Sequence, residues 1–221
     1  MKKFHRPLIL LGGIAASAAL AGGTMFALGG FTATVTNSGA GFASGTIVLS
    51  EGQGATTCLS TSTDVITSNS TPCTTINLFG TGNAVPGTSN ATALAFKNLG
   101  SVNASTFTLT PTACTAAANT ATSPYSGSDT TGFCGKVDVT IENTTNAAAP
   151  VCVYPVETGA CPAPSSSDTL ASLGSGSPVS LGALAASGTD NFTITTELDN
   201  SATNADQGLA ATESVTWELS Q

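Results

Sequence analysis

Six cysteines, thirteen carboxylates and one histidine are the residues of this 221-residue chain that could do chemistry. A Ser-His-Asp triad, a Cys-His pair or an HExxH zinc site each needs a histidine beside its partners. The histidine here is His5, set among Lys2, Lys3 and Arg6 and followed by an apolar Leu/Ala/Gly run to about Leu28. A positive segment ahead of such a run reads as a secretory signal peptide. The cut is expected after Ala27, or as late as Gly30. A retained membrane anchor is the other reading, since the run approaches spanning length. Cleavage removes His5 and three basic residues, leaving Lys97 and Lys136 against thirteen acids, a formal net charge of −11. With no histidine left, the expectation is a protein that is not an enzyme and takes no cofactor. Two lysines cannot neutralise a phosphate backbone, so nucleic acid is not expected as a partner.

Export would place Cys58, Cys73, Cys114, Cys134, Cys152 and Cys161 in an oxidising compartment, as disulfides. Six cysteines allow fifteen pairings. They fall into three close pairs, each enclosing a Thr/Ser/Gly/Asn/Pro-rich loop, which favours Cys58–Cys73, Cys114–Cys134 and Cys152–Cys161. Each closed loop would contribute on the order of 3 kcal/mol in the chain-entropy model. No CxxC spacing supports a zinc-thiolate site.

The carboxylates offer little catalytic pattern. Glu142, Glu157, Glu197, Glu213 and Glu218 read as solvent-facing strand and loop residues. The Asp199–Asp206 loop is rich in oxygen ligands, making Asp199, Asn204 and Asp206 a weak calcium candidate. It lacks the central Gly and closing Glu of an EF-hand, and Asx-rich turns are common without metal.

Strands must position these residues. The chain carries 37 Thr and 25 Ser, and period-2 alternation with Thr on the polar side recurs at 31–36, 106–110, 136–141, 191–195 and 213–219. Further strands are expected at 45–49, 74–79, 92–97, 151–156 and 178–181, with a short helical turn over 181–186. Residues 123–131 and 162–177 read as exposed low-complexity loops. Phe192 and Trp217 match the alternation and read as core. Lys97 and Lys136 read as strand-end guards against edge pairing. The fold class expected is all-β, an antiparallel β-sandwich of jelly-roll or immunoglobulin-like type with disulfide-tied loops. The jelly-roll type is preferred on the resemblance described next.

Three motifs carry a resemblance. Gly22-Gly23-Thr24 ends the apolar run, and Phe42-Ala43-Ser44-Gly45-Thr46-Ile47-Val48-Leu49 follows the cut. Phe96-Lys97-Asn98-Leu99-Gly100-Ser101 reads as a strand with an N-x-G-S turn. Asp206-Gln207-Gly208 leads to Val215-Thr216-Trp217-Glu218-Leu219-Ser220-Gln221. In order and spacing these resemble the TasA/camelysin family of exported bacterial surface and biofilm-matrix proteins; the cysteine-rich loops are not part of that pattern. The resemblance implies a jelly-roll sandwich, processing by a SipW-type signal peptidase and secretion to the cell surface or medium, with no membrane contact after cleavage. It also implies self-association into fibres by donor-strand addition, a segment of one subunit pairing with an open sheet edge of the next. Residues 28–41 fit that part, with Phe31, Ala33 and Val35 alternating. The other readings of this segment are the first strand of its own sheet, or disorder.

The organisation expected is therefore a signal peptide over 1–27, a candidate donor segment over 28–41 and one β-sandwich domain over 42–221. The function expected is a secreted structural subunit of extracellular matrix or cell-surface fibres. The alternatives are a monomeric surface-binding or adhesion module and, less favoured for want of histidine, a camelysin-like endopeptidase. At −11, subunits should repel one another at low ionic strength. Assembly followed by light scattering should therefore speed up with added salt or falling pH, and indifference to both would contradict this.

Overall fold

Burial follows the alternation of the sequence. In β3 (Ser89–Asn98), Thr92, Leu94, Phe96 and Asn98 point inward, and in β9 (Thr189–Leu198) Phe192, Ile194, Thr196 and Leu198 do the same. A side-chain period of two turns one face of each strand to the core. The computed structural model describes residues 43–62, 66, 68–80, 83–120 and 124–221. Phe31, Ala33 and Val35, the candidate donor residues, lie outside them, as does the expected cleavage region.

The described strands are β1 (Leu49–Gln53), β2 (Thr56–Leu59), β3, β4 (Ala104–Pro111), β5 (Thr115–Ala118), β6 (Val137–Asn143), β7 (Val151–Tyr154), β8 (Val179–Leu184), β9, β10 (Leu209–Thr212) and β11 (Val215–Ser220). One helix, α1 (Leu170–Ser175), precedes β8. All ladders are antiparallel. A six-stranded sheet runs β2-β1-β3-β9-β6-β7, a three-stranded sheet runs β11-β4-β8, and β10-β5 form a ribbon. Residues Ser44–Gln221 form one compact unit.

The two larger sheets pack against each other through aromatic rings. Phe96 and Phe192 from the six-stranded sheet meet Phe107 and Trp217 from the three-stranded one. Phe96 lies 5.4 Å from Phe107, 5.8 Å from Phe192 and 4.2 Å from Trp217, centroid to centroid. The Phe–Phe pairs are edge-to-face, the arrangement ring quadrupoles favour. Leu94, Leu109, Val139, Ile141, Leu181 and Ile194 fill the space around them.

The N-x-G-S turn after β3 is built around Asn98, which is fully buried. Its side-chain amide donates to the carbonyls of Val102 (2.9 Å) and Leu184 (3.2 Å), and its oxygen accepts from Gly100 N–H (3.0 Å). A Cβ on Gly100 would lie 2.1 Å from the Thr46 carbonyl oxygen. Only glycine lets the 45–48 segment lie this close.

Several expectations are corrected. Residues 45–48 are not a ladder strand: Leu99 and Ser101 N–H groups bond to Val48 and Thr46 carbonyls across a turn. Residues 74–79 are irregular because the Gln53 side chain takes both backbone groups of Asn77. Residues 181–184 continue β8 rather than forming a helical turn. The helix lies instead inside the 162–177 stretch expected to be an exposed loop. There Thr169 and Ser172 form a reciprocal cap, and Leu170 and Leu173 are buried. Strands β2, β5 and β10 were not expected: Thr115-Ala116-Ala117-Ala118 has little β-branching.

Replacing Phe96 with alanine empties the joint between the sheets and should cost about 3–5 kcal/mol in equilibrium urea unfolding. Thr216→Ala, on the exposed face of β11, should stay within about 0.5 kcal/mol.

Candidate functional site

The three disulfides are Cys58–Cys73, Cys114–Cys134 and Cys152–Cys161. Each joins nearest neighbours in sequence, and three of them fit an oxidising compartment. Among the described residues, no helix is long and apolar enough to cross a membrane.

The third disulfide lies beside an open apolar groove. Strand β7 pairs with β6 and β8 with β4, so each is a sheet edge. Pro155 ends β7 and Pro178 precedes β8, because proline gives no N–H to a ladder. Between these edges runs a groove of about 560 Å³ lined by Val151, Val153, Tyr154, Val156, Leu173 and Val179, among others. Val151 is 50% exposed and Val156 is 85% exposed. The loop closed by Cys152–Cys161 folds back on β7: Cys152 N–H bonds to the Gly159 carbonyl (2.6 Å), and Cys161 N–H to Glu142 Oε1 (2.8 Å). That leaves β8 as the freer edge of the two. The Tyr154 hydroxyl meets Ser172 Oγ at 2.8 Å, holding the groove wall to α1. Burial pushes the Tyr154 hydroxyl up, the Ser172 bond works against it, and the charges of Asp168 and Glu213 add to the rise.

Glu51 Oε1 in β1, next to the edge strand β2, and Trp217 Nε1 in the edge strand β11 are buried without hydrogen-bond partners. Glu51 sits opposite Phe96 in the ladder, and Trp217 stacks on the same ring. Trp217 is half-buried and Phe192 fully buried, both within the core expected of them.

The carboxylates depart most from the sequence reading. Glu213, expected to face solvent, is 8% exposed, with neither oxygen partnered. Burial pushes it up to about 7, and burial does the same for Glu51. Asp138 rises to about 6, first through burial and then through the charges of Asp199, Glu197 and Asp168. Glu157 and Glu218 are exposed.

The calcium candidates are engaged within the protein. Asp206 Oδ2 meets Lys136 Nζ at 2.9 Å and accepts from Thr203 N–H at 2.7 Å. Asp199 Oδ1 accepts from Ser201 N–H, and Asn204 Oδ1 accepts from Gln207. A lysine ammonium, not an open position, faces the most buried carboxylate of the loop. Among the described residues, no three Asp, Glu, His or Cys side chains converge as metal ligands. Burial raises Asp206, but the Thr203 backbone bond and Lys136 more than offset it and hold the carboxyl below its ordinary value. Lys136 also pairs with Asp129 at 3.1 Å. It is therefore an ion-pair hub rather than a strand-end guard. Lys97 is exposed on β3, which has neighbours on both sides, so it guards no edge either.

Glu51, Glu213 and Asp138 all hold their protons more tightly folded than unfolded. Their stabilisation is present below the ordinary carboxylate range and is lost as pH rises through about 6 to 7. Asp206 acts in the opposite sense, losing its contribution only at more acidic pH. The melting temperature should therefore be higher near about pH 5 than near about pH 7.5. Glu213→Gln should raise it at the higher pH and flatten the profile. A melting temperature that climbs over this interval would contradict the assignment. The chain matches no family model and no curated protein sequence.

Proposed function

We propose that the chain is a secreted structural subunit of extracellular matrix or cell-surface fibres, a sandwich of jelly-roll type that assembles by donor-strand addition. The observation that carries this reading is the apolar groove between β7 and β8, with Val151 and Val156 exposed beside the unpaired edge of β8. An added strand gains main-chain hydrogen bonds from such an edge, while alternate side chains fill the apolar pockets. Residues 28–41 supply the matching chemistry. Phe31, Ala33 and Val35 alternate with threonines, and Gly29, Gly30, Ser38, Gly39 and Gly41 flank them. The three disulfides suit an extracellular site of action. The twelve remaining acids and lone lysine outside the Lys136–Asp206 pair favour association through backbone and apolar contacts over ion pairs.

The processed protein should form filaments in negative-stain electron micrographs. A chain beginning at Ala43 should stay monomeric in light scattering. Val156→Asp, at a solvent-exposed position, should leave the melting temperature unchanged and suppress filaments. Filaments from the chain beginning at Ala43 would overturn donor-strand addition, and a processed protein that stays monomeric under all salt conditions would overturn the fibre role.

A further inference from the structure

A second cavity, of about 500 Å³, shares no residue with the β7–β8 groove. Its volume falls in the range of small-molecule sites, where an apolar floor carries a few convergent polar groups. The polar groups include Asn83, Asn90, Asn119 and Glu197, and the apolar surface includes Phe79 and Phe133. Phe133 is 6% exposed and forms floor, while Asn83 and Asn90 are exposed.

The walls are held from several sides. Ser89 Oγ donates to Glu197 Oε2 at 2.5 Å across the β3–β9 ladder, which orients the carboxylate. Asn119 N–H bonds to the Gly208 carbonyl at 2.8 Å, and Thr196 Oγ1 donates to the Phe79 carbonyl at 3.2 Å. Asn119 and Phe133 lie within the loop closed by Cys114–Cys134, and Phe79 follows Cys73 of the first disulfide. Gly80 has φ +83°, and a Cβ there would lie 1.7 Å from the Asn90 side-chain nitrogen. Glycine leaves the Asn90 amide its place. Among the described residues, the Asn83 and Asn90 side chains make no hydrogen bond to the protein. They stay available to a ligand.

We propose that this cavity binds a neutral pyranose unit of an extracellular polysaccharide. Primary amides offer both donors and acceptors, and a carboxylate offers acceptors, a set that matches adjacent sugar hydroxyls. The C–H face of a pyranose has apolar surface to lay against Phe79 and Phe133. No lysine or arginine lines the cavity, so an anionic sugar would meet Glu197 without a countercharge. The site is separate from the groove, and a subunit carrying both would tie a protein fibre to a polysaccharide.

The test is nuclear magnetic resonance of the 15N-labelled processed protein carrying Val156→Asp, which keeps it from assembling, titrated with chitotetraose, cellotetraose and mannotetraose, with polygalacturonate as the anionic comparison, each at about 5 mM. At least one neutral tetrasaccharide should shift the side-chain amide signals of Asn83, Asn90 and Asn119. Glu197→Gln and Asn83→Ala should each weaken that affinity about tenfold, the scale of one good hydrogen bond. Asn83 lies outside the strands, so its variant probes binding without a ladder at risk. Sugar binding in the Val156→Asp background separates this inference from the fibre reading. No response to any neutral sugar, a response confined to other residues, or a response only to polygalacturonate would overturn the proposal.

Discussion

The contact of Phe96 with Phe107, Phe192 and Trp217 is what makes two sheets into one body. Aromatics are only 5% of this chain, so few rings are available to fill the space between layers. Four of them meet at one point. The strands that carry them are β3, β9, β4 and β11, and the two cavities lie around this joint. The β7–β8 groove lies where the layers end on one side. The unpartnered Glu51 and Trp217 atoms lie in β1 and β11, both beside the Phe96 ring. The second cavity lies against β3 and β9, beside the β10–β5 ribbon.

Strand identity was legible where threonine alternated with β-branched or aromatic residues, as at 106–110 and 191–195. The same rule failed where a side chain outcompeted the ladder. Gln53 takes the backbone of Asn77, so an alternating stretch stays irregular. It failed again where pairing was supplied by a partner instead of by propensity: β5 is an alanine run that exists because β10 lies beside it. Helix α1 was hidden by composition. Its serines and glycines suggested a loop, yet two leucines one turn apart and a reciprocal cap were enough once a core was present to receive them.

The pairing of Lys136 was also beyond sequence reasoning. It depends on Asp129 and Asp206, 7 and 70 residues away. Glu213 likewise sits in an alternating polar-looking stretch, and only the arrangement of neighbouring elements shows it is enclosed. The sites themselves were read unevenly. The cysteine pairs could be read from spacing. The asparagine-lined cavity could not, since asparagines in a chain so rich in polar residues carry no distinguishing pattern.

The scarcity of lysine has a practical side. Beyond Gly41 the chain offers two amines on side chains, Lys97 and Lys136. Lys136 is held against Asp206 and Asp129, and Lys97, near the end of β3, is paired with strands on both sides. A protease that cuts after lysine needs an extended, unpaired segment to enter its cleft, and neither position offers one while the fold holds. Aldehyde fixatives and other amine-reactive agents are left with Lys97 as their accessible side-chain target. A surface built from threonine, serine and acids is thus chemically quiet towards amine-directed reagents.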